Sequence, residues 1–378
     1  MKYLLLYFEE NYGLTVEKKI IDAVAVIANE NRYHPVCDFL NDLQWDGTER
    51  IRFCLHRFLG SDTDDYTYEA LKLFLLGAIS RAFKPGCKFE VMLCLVGGQG
   101  AGKSSFFRLL AVNDDWFSDD LKKLDDENVY RKMQGHWIIE MSEMIATANA
   151  KSIEEIKSFL SRQKETYKIP YETHPADRKR QCVFGGSSNT LDFLPLDRTG
   201  NRRFVPVMVY PERAEVHILA DEQASREYIN QMWAEAMEIY RRGNFRLRFS
   251  PAMNDYLKAH QKDFMPEDTK AGQILDYLER YSGSMVCSKQ LYKEALGHDY
   301  DEPKQWELRE INDIMNNAVT GWRAFSNPRY FPEPYRRQKG WERIRNDNEP
   351  DNSMDGFQEI PTEEMEQLGL PEEWLKQK

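Results

Sequence analysis

Nothing in this sequence constrains the fold as tightly as the string GGQGAGKS, Gly97 to Ser104, at the end of the nearly continuous apolar run FEVMLCLVG. It matches G-x-x-x-x-G-K-[ST] and has the flanks that pattern needs, an apolar strand before it and the helix-forming SSFFRLLAV after it. Glycines let successive backbone N–H groups converge on phosphate oxygens, and the following helix N-terminus adds partial positive charge. The spacing predicts a cradle for ATP made by Gly97, Gly98, Gln99, Gly100, Ala101, Gly102 and Ser105, with Lys103 reaching the β/γ-phosphates and Ser104 ligating Mg²⁺.

A phosphate loop needs a second strand that ends in an acid. HWIIEMSEM supplies it: Trp137 to Ile139 lead to Glu140, and Glu143 follows three residues later. Glu140 is assigned to the metal shell and Glu143 to the attacking water, an order that can be reversed. Residues three apart on a strand face opposite sides, so both acids serve one site only if the strand ends near Met141. A third apolar run, QCVFGGSS, ends at Asn189, a side chain placed to hydrogen-bond the γ-phosphate or the attacking water. DRTGNRRF then offers Arg198, Arg202 and Arg203 ahead of the strand FVPVMV, and an arginine supplied by a neighbouring subunit is a recurring stabiliser of phosphoryl transfer. With the helical EEIKSFLSRQ lying between strands, the alternation predicts an α/β core over residues 86–210.

The chain has 378 residues, enough for two or three domains. No apolar run approaches the roughly 18 residues of a membrane span, and MKYLLLYFEE is too short for an export leader. The six cysteines form no CxxC pair, which predicts neither structural zinc nor disulfides and suits a reducing cytoplasm. A net charge of −11 argues against a nucleic-acid partner only until the acids are located: residues 346–378 carry −8 of it. That tail reads as disordered.

Residues 1–85 read as a helical region, with VEKKIIDAVAVIANEN and YEALKLFLLGAISRAF at helical spacing and Pro35 and Asp46-Gly47 as turn punctuation between them. Residues 211–267 read as a helical extension and connector. At 268–345, three helices (AGQILDYLER, SKQLYKEALG, WELREINDIMNNA) precede two short strands (TGWRAFSN, KGWERIR), which suggests a winged-helix-like domain. Its residues 321–345 hold seven Lys/Arg against two Asp/Glu, with Trp322, Tyr335 and Trp341 interleaved, a pattern that suits duplex DNA, although a winged helix can equally bind only another protein.

The succession YHPVCDFLNDLQWDG, PGCKFEVMLCLVGGQGAGKS, GHWIIEMSEM, KSFLSRQKETYKIPYE, FGGSSN and DRTGNRRFVPV resembles the virulence-associated protein E family over roughly residues 24–245. These phage and mobile-element proteins are similar to superfamily 3 helicases and to the C-terminal halves of poxvirus-type primase-helicases. The resemblance implies a P-loop NTPase core of the ATPase-associated-activities (AAA+) type, assembly into a homo-oligomeric, commonly hexameric ring, and a role in replicating the element's DNA. The 85 residues before the core are too few for the primase domain that many relatives carry, and the acids of the second motif are three apart rather than adjacent.

Superfamily 3 proteins present a DNA-contacting hairpin between the second and third motifs. Here residues 157–203 carry ten Lys/Arg against five Asp/Glu, with Tyr167 and Tyr171 near Lys164 and Lys168. Cations track phosphates and rings stack on bases, so Lys164, Lys168, Arg178, Lys179 and Arg180 are the expected contacts to single-stranded DNA. The leading reading is therefore a DNA-dependent ATPase and helicase. A small-molecule phosphotransferase and a non-catalytic, ATP-regulated origin-binding module are the alternatives.

Overall fold

The computed structural model describes residues 2–121, 124, 129–142, 150–167, 176–194 and 201–344. Contacts divide the chain into two units, Met1–Glu267 and Asp268–Lys378. Among the described residues no helix is long and apolar enough to cross a membrane.

The first unit begins with α1 (Lys2–Tyr12), α2 (Glu17–Glu30), α3 (Pro35–Asp42), α4 (Ile51–Leu59) and α5 (Asp65–Phe83). Pro35, read as turn punctuation, instead opens α3, where its missing N–H is not needed, and His34 caps the turn by accepting from the Cys37 N–H at 3.3 Å. Helix α5 is apolar around most of its circumference and is buried almost throughout, from Tyr66 to Ala82. Its first turn is held by Asp64, which accepts from the Thr67 N–H at 2.8 Å.

The core then follows as β1 (Met92–Val96), α6 (Lys103–Leu110), β2 (Phe117–Ser118), α7 (Val129–Met133), β3 (Ile138–Met141), α8 (Ala150–Leu160), β4 (Lys164–Tyr167), β5 (Ala176–Lys179), β6 (Val183–Ser188), β7 (Phe204–Met208), α9 (Glu222–Arg242) and α10 (Pro251–His260). Five strands form one parallel sheet in the order β2-β3-β6-β1-β7. All five residues of β1 are buried, as a continuous apolar run between two layers demands. Leu93 and Leu95 face a core built from α3 to α6 and α9, while Met92, Cys94 and Val96 face a second core that includes Ile153, Ile156 and Phe159 of α8. Gly185 lets β6 lie against α6: a Cβ there would collide with the Phe107 ring. The chain leaves β1 toward β2 on one side and returns past it to β7 on the other. The C-terminal end of β1 is thus the switch point where open α/β sheets hold their ligands.

The second unit contains α11 (Thr269–Arg280), β8 (Met285–Cys287), α12 (Ser288–Gln290, continued as a π-turn over Leu291–Ala295), α13 (Gln305–Asn317), β9 (Trp322–Ala324), β10 (Arg329–Phe331), β11 (Arg336–Gln338) and β12 (Gly340–Arg343). Strand β12 lies between β8 and β9 in an antiparallel sheet, and β10 pairs with β11 as a separate hairpin. Ile274, Leu278, Leu291, Ile311, Ile314 and Trp341 make its core. Sequence periodicity finds the helices and the β9 and β12 strands. It misses β8, β10 and β11.

Candidate nucleotide-binding site

Three strand ends converge at the switch point. The loop after β1 turns sharply through Gly100 and Gly102, both at φ +81°, a conformation that glycine adopts without strain. Gly97 is needed for a different reason: a Cβ there would lie 2.5 Å from the Val209 carbonyl oxygen beside it. Nothing lies within 4 Å of where a Cβ of Gly98 or Gly100 would project, so the loop's outer side is open. Gly102 is the N-cap of α6 and provides no capping side chain, which leaves the first N–H groups of that helix to a ligand.

Lys103 curls over this loop. Its ammonium donates to the carbonyl oxygens of Gly97 (2.6 Å) and Gly98 (2.7 Å) and to Asn189 Oδ1 (2.9 Å), which uses its three protons. Burial holds its pKa below the usual lysine value, against the opposing pull of Glu140. Asn189, expected to meet the γ-phosphate or the attacking water, lies immediately after β6 and is bonded here to the phosphate-loop lysine.

Glu140 lies within β3 and is 1% exposed. Its Oε1 accepts from Ser104 Oγ at 2.8 Å and from Ser187 Oγ at 2.5 Å, while Oε2 is buried without a hydrogen-bond partner. Burial raises its pKa above the ordinary carboxylate value, and the two serine hydroxyls only partly oppose that shift. A shared hydroxyl and carboxylate with an unused, buried lone-pair oxygen fit a hard cation that takes its remaining ligands from phosphate and water. No cluster of three or more His, Cys, Asp or Glu suited to a metal occurs among the described residues, so a divalent ion here would depend on those outside ligands. Ser187 was not anticipated. Its signal was a hydroxyl in a buried strand, one residue before the strand's end.

Glu143, Lys168, Tyr171 and Arg198 lie outside the described residues. Strand β3 ends at Met141, the condition under which Glu140 and Glu143 can address one site.

Arg202 and Arg203 are at the other end of the sheet. The Arg203 carbonyl accepts from the Met92 N–H at the start of β1, five strand residues and therefore about 16 Å from the phosphate loop at ~3.3 Å per residue. Arg202 pairs with Glu90 at 3.0 Å, and Arg203 donates to Ser161 Oγ at 2.9 Å and lies 3.4 Å from Glu90. Burial would raise the Glu90 pKa, but Arg203, Ser161 and Arg202 overcome it and hold the group below the usual carboxylate value. Neither arginine reaches the phosphate loop of its own chain.

Between β3 and β6, β4 and β5 form an antiparallel hairpin with Lys164 opposite Lys179 and Thr166 opposite Asp177. Lys164, Thr166, Asp177 and Lys179 share the exposed face, where Lys164 pairs with Asp177 and Thr166 Oγ1 donates to Asp177 Oδ1 at 2.6 Å. Arg180 corrects the sequence reading: it is no surface cation. Its side chain is 0% exposed, paired with Glu165, donating to the Phe159 carbonyl at 2.7 Å and lying over the Phe159 ring at 4.5 Å. A charge this buried requires its own counter-ion, and Glu165 supplies it. Arg178 is half-buried on the hairpin's other face, opposite Glu165.

No curated protein matches the chain. Two solved structures of the apo NrS-1 C-terminal region align with it at 13% and 12% identity, with TM-scores of 0.45 and 0.49, each alignment covering 81% of this chain and 78% of that one. The model of the virulence-associated protein E-like domain matches residues 40–266, which takes in the phosphate loop, Glu140, Asn189, the hairpin and both arginines. The chain therefore belongs to the virulence-associated protein E-like family.

Proposed function

We propose that this protein is a DNA-dependent ATPase, built on a P-loop core of the superfamily 3 type, that works as a ring-shaped translocase or helicase in replicating a phage or mobile element. The observation that carries the reading is the convergence of Lys103, Ser104, Glu140 and Asn189 on one strand-end crevice of a parallel sheet. ATP fits the open glycine loop, and Mg²⁺ fits the unpartnered Glu140 oxygen. A bound Mg²⁺ would neutralise charge on the β/γ-phosphates. Lys103 would exchange loop carbonyls for phosphate oxygens, and Asn189, released from Lys103, would orient the γ-phosphate or the water. Glu143 is the proposed acceptor of the water's proton.

The placement of Arg202 and Arg203 supports a multi-subunit site, because they can meet a nucleotide only on another copy. A head-to-tail contact of this kind makes a ring when its rotation closes, and the family resemblance implies six copies. The exposed face of the β4–β5 hairpin carries Lys164 and Lys179 toward a DNA strand. The second unit's order of helix, strand, two helices and a strand pair around a hairpin supports a winged helix, which would hold duplex DNA. ATP hydrolysis measured with and without single-stranded DNA tests the proposal. Stimulation by DNA is the expected result. Turnover indifferent to DNA, in a protein that does not bind it, would point to a small-molecule phosphotransferase, and nucleotide binding without turnover to a regulatory module.

A further inference from the structure

The sequence RRGNFRLRF at the end of α9 puts four arginines in eight residues, and the structure divides them. Arg241 donates to the Asn41 carbonyl and Arg242 pairs with Glu238, both as parts of the helix end. Arg246 and Arg248 are exposed while Leu247 is half-buried and Phe249 buried, so the segment turns its apolar residues inward and its guanidinium groups outward. Both line a cleft of about 940 Å³ whose lining includes five cations (Lys88, Arg202, Arg246, Arg248 and Lys258) against two acids. Of the acids, Glu90 is already engaged by Arg202, Arg203 and Ser161, which leaves Asp255. Among the described residues the side chains of Arg246, Arg248 and Lys258 have no ion-pair or hydrogen-bond partner. Concentrating unpaired cations around one hollow is unfavourable unless an anion joins them.

The cleft opens at the N-terminal end of β1, the end opposite the phosphate loop, and the connection 84–90 leads from it to a second hollow of about 410 Å³ lined by Lys84, Lys164 and Lys179. A single phosphate group would call for converging N–H donors. The nearby N-terminus of α10 instead has its Met253 N–H accepted by Ser250 at 3.2 Å. Cations spread along two hollows linked by one short chain segment match an extended polyanion.

We propose that Lys88, Arg246, Arg248 and Lys258 form a backbone-binding cleft for a nucleic-acid strand, continuous through Lys84 with the Lys164/Lys179 face of the hairpin. This rests on the DNA reading above and extends it to a surface that lies outside the hairpin.

The test uses the full chain and a fluorescent oligothymidylate, with affinity measured across a salt series. Arg246→Ala/Arg248→Ala/Lys258→Ala should weaken binding and flatten the slope of log K against log[salt] by about 2, at ~0.7 for each single-strand phosphate that the protein no longer neutralises. The lysine version of the two arginine positions should recover most of that slope. DNA-independent ATP hydrolysis should be unchanged. If the triple variant keeps wild-type affinity and slope while Lys164→Ala loses both, the cleft is no part of the track and the hairpin reading survives alone. A variant that loses DNA-independent hydrolysis but keeps DNA affinity would assign the cleft to a neighbouring copy's nucleotide and overturn the proposal. A wild-type protein that binds no oligothymidylate would remove both readings.

Discussion

Glu140→Gln should make the ligand-free protein more stable and, at the same time, inactive. The native carboxylate is 1% exposed, accepts two serine hydroxyls on one oxygen and leaves the other without a partner. Burying an ion costs several kcal/mol even after relaxation, and the neutral amide avoids that cost. Two charge-assisted hydrogen bonds become neutral ones, a loss of about 1 kcal/mol each. The glutamine NH2 takes the place of the unpartnered Oε2 and costs about 1 kcal/mol more, so the balance is a gain on the order of 1 kcal/mol, a few degrees in melting temperature for a unit of this size. Because burial raises the Glu140 pKa, the folded state takes up its proton more readily than the unfolded state. The penalty is therefore absent below the ordinary carboxylate range and complete above the raised value. The gap between variant and wild type should widen as pH rises through and above the ordinary carboxylate range and close below it. Thermal melts with and without Mg²⁺ and a non-hydrolysable ATP analogue give the decisive comparison. Ligand at a hundredfold excess over Kd adds about 2.7 kcal/mol to whichever protein binds it, so the ranking should invert when ligand is added. A Glu140→Gln protein that melts below wild type without ligand, or that still hydrolyses ATP with unchanged Mg²⁺ dependence, would refute the reasoning.

Lys103→Ala should abolish hydrolysis and leave the fold intact, since its native contacts are to loop carbonyls and Asn189; equal turnover would exclude the assignment. Mixing a Lys103→Ala protein with an Arg202→Ala/Arg203→Ala protein should restore part of the activity, because some interfaces then pair an intact loop with intact arginines. Full activity in a strictly monomeric protein would dispose of that idea. Arg180→Ala should cost about 3 kcal/mol by leaving the buried Glu165 with only the half-exposed Arg162, 3.6 Å away, and Arg180→Met with Glu165→Leu should recover most of it; chemical denaturation measures both. Lys164→Ala should weaken single-strand binding without changing the melting temperature, since its pairing with Asp177 is exposed to solvent.

Where the sequence was legible, one local signal sufficed. The apolar run before Gly97 fixed a buried strand, and the glycines, Lys103 and Ser104 fixed the loop, because that chemistry is written in consecutive residues. Asn189 could be placed because it follows a strand directly. Long-range pairings were not legible. Ser187 meets Glu140 across 47 residues and Arg202 meets Glu90 across 112, and no periodicity encodes such distances. Arg180 was misread for the same reason. In sequence it is the last of three adjacent cations, and only the partner strand, bringing Glu165 beside it, distinguishes a buried ion pair from a basic face. Pro35 failed differently, since one residue type both breaks and begins helices and its position relative to the first turn decides which.

The parallel sheet puts two chemistries at opposite ends of the same strands. Strand β6 is preceded by the Arg180 anchor of the hairpin, with Gln181 and Cys182 between them, and is followed directly by Asn189 on Lys103. It is bonded on both sides, to β3 and β1, so it can neither stretch nor slip without breaking ladder hydrogen bonds. In the proposed function, a phosphate that drew Lys103 away from Asn189 would change the contacts at one end of this rigid element, and a DNA strand gripped by the hairpin would change them at the other. If DNA favours one position of the hairpin base and nucleotide favours one position of Asn189, each ligand must alter the other's affinity by the same factor, because binding free energies form a closed cycle. The buried Glu165–Arg180 pair bears directly on that coupling. Were the hairpin loosely hinged on the core, DNA could bind without disturbing β6, whereas an ion pair sealed beneath Phe159 and Phe184 fastens the hairpin base to the strand that carries Asn189.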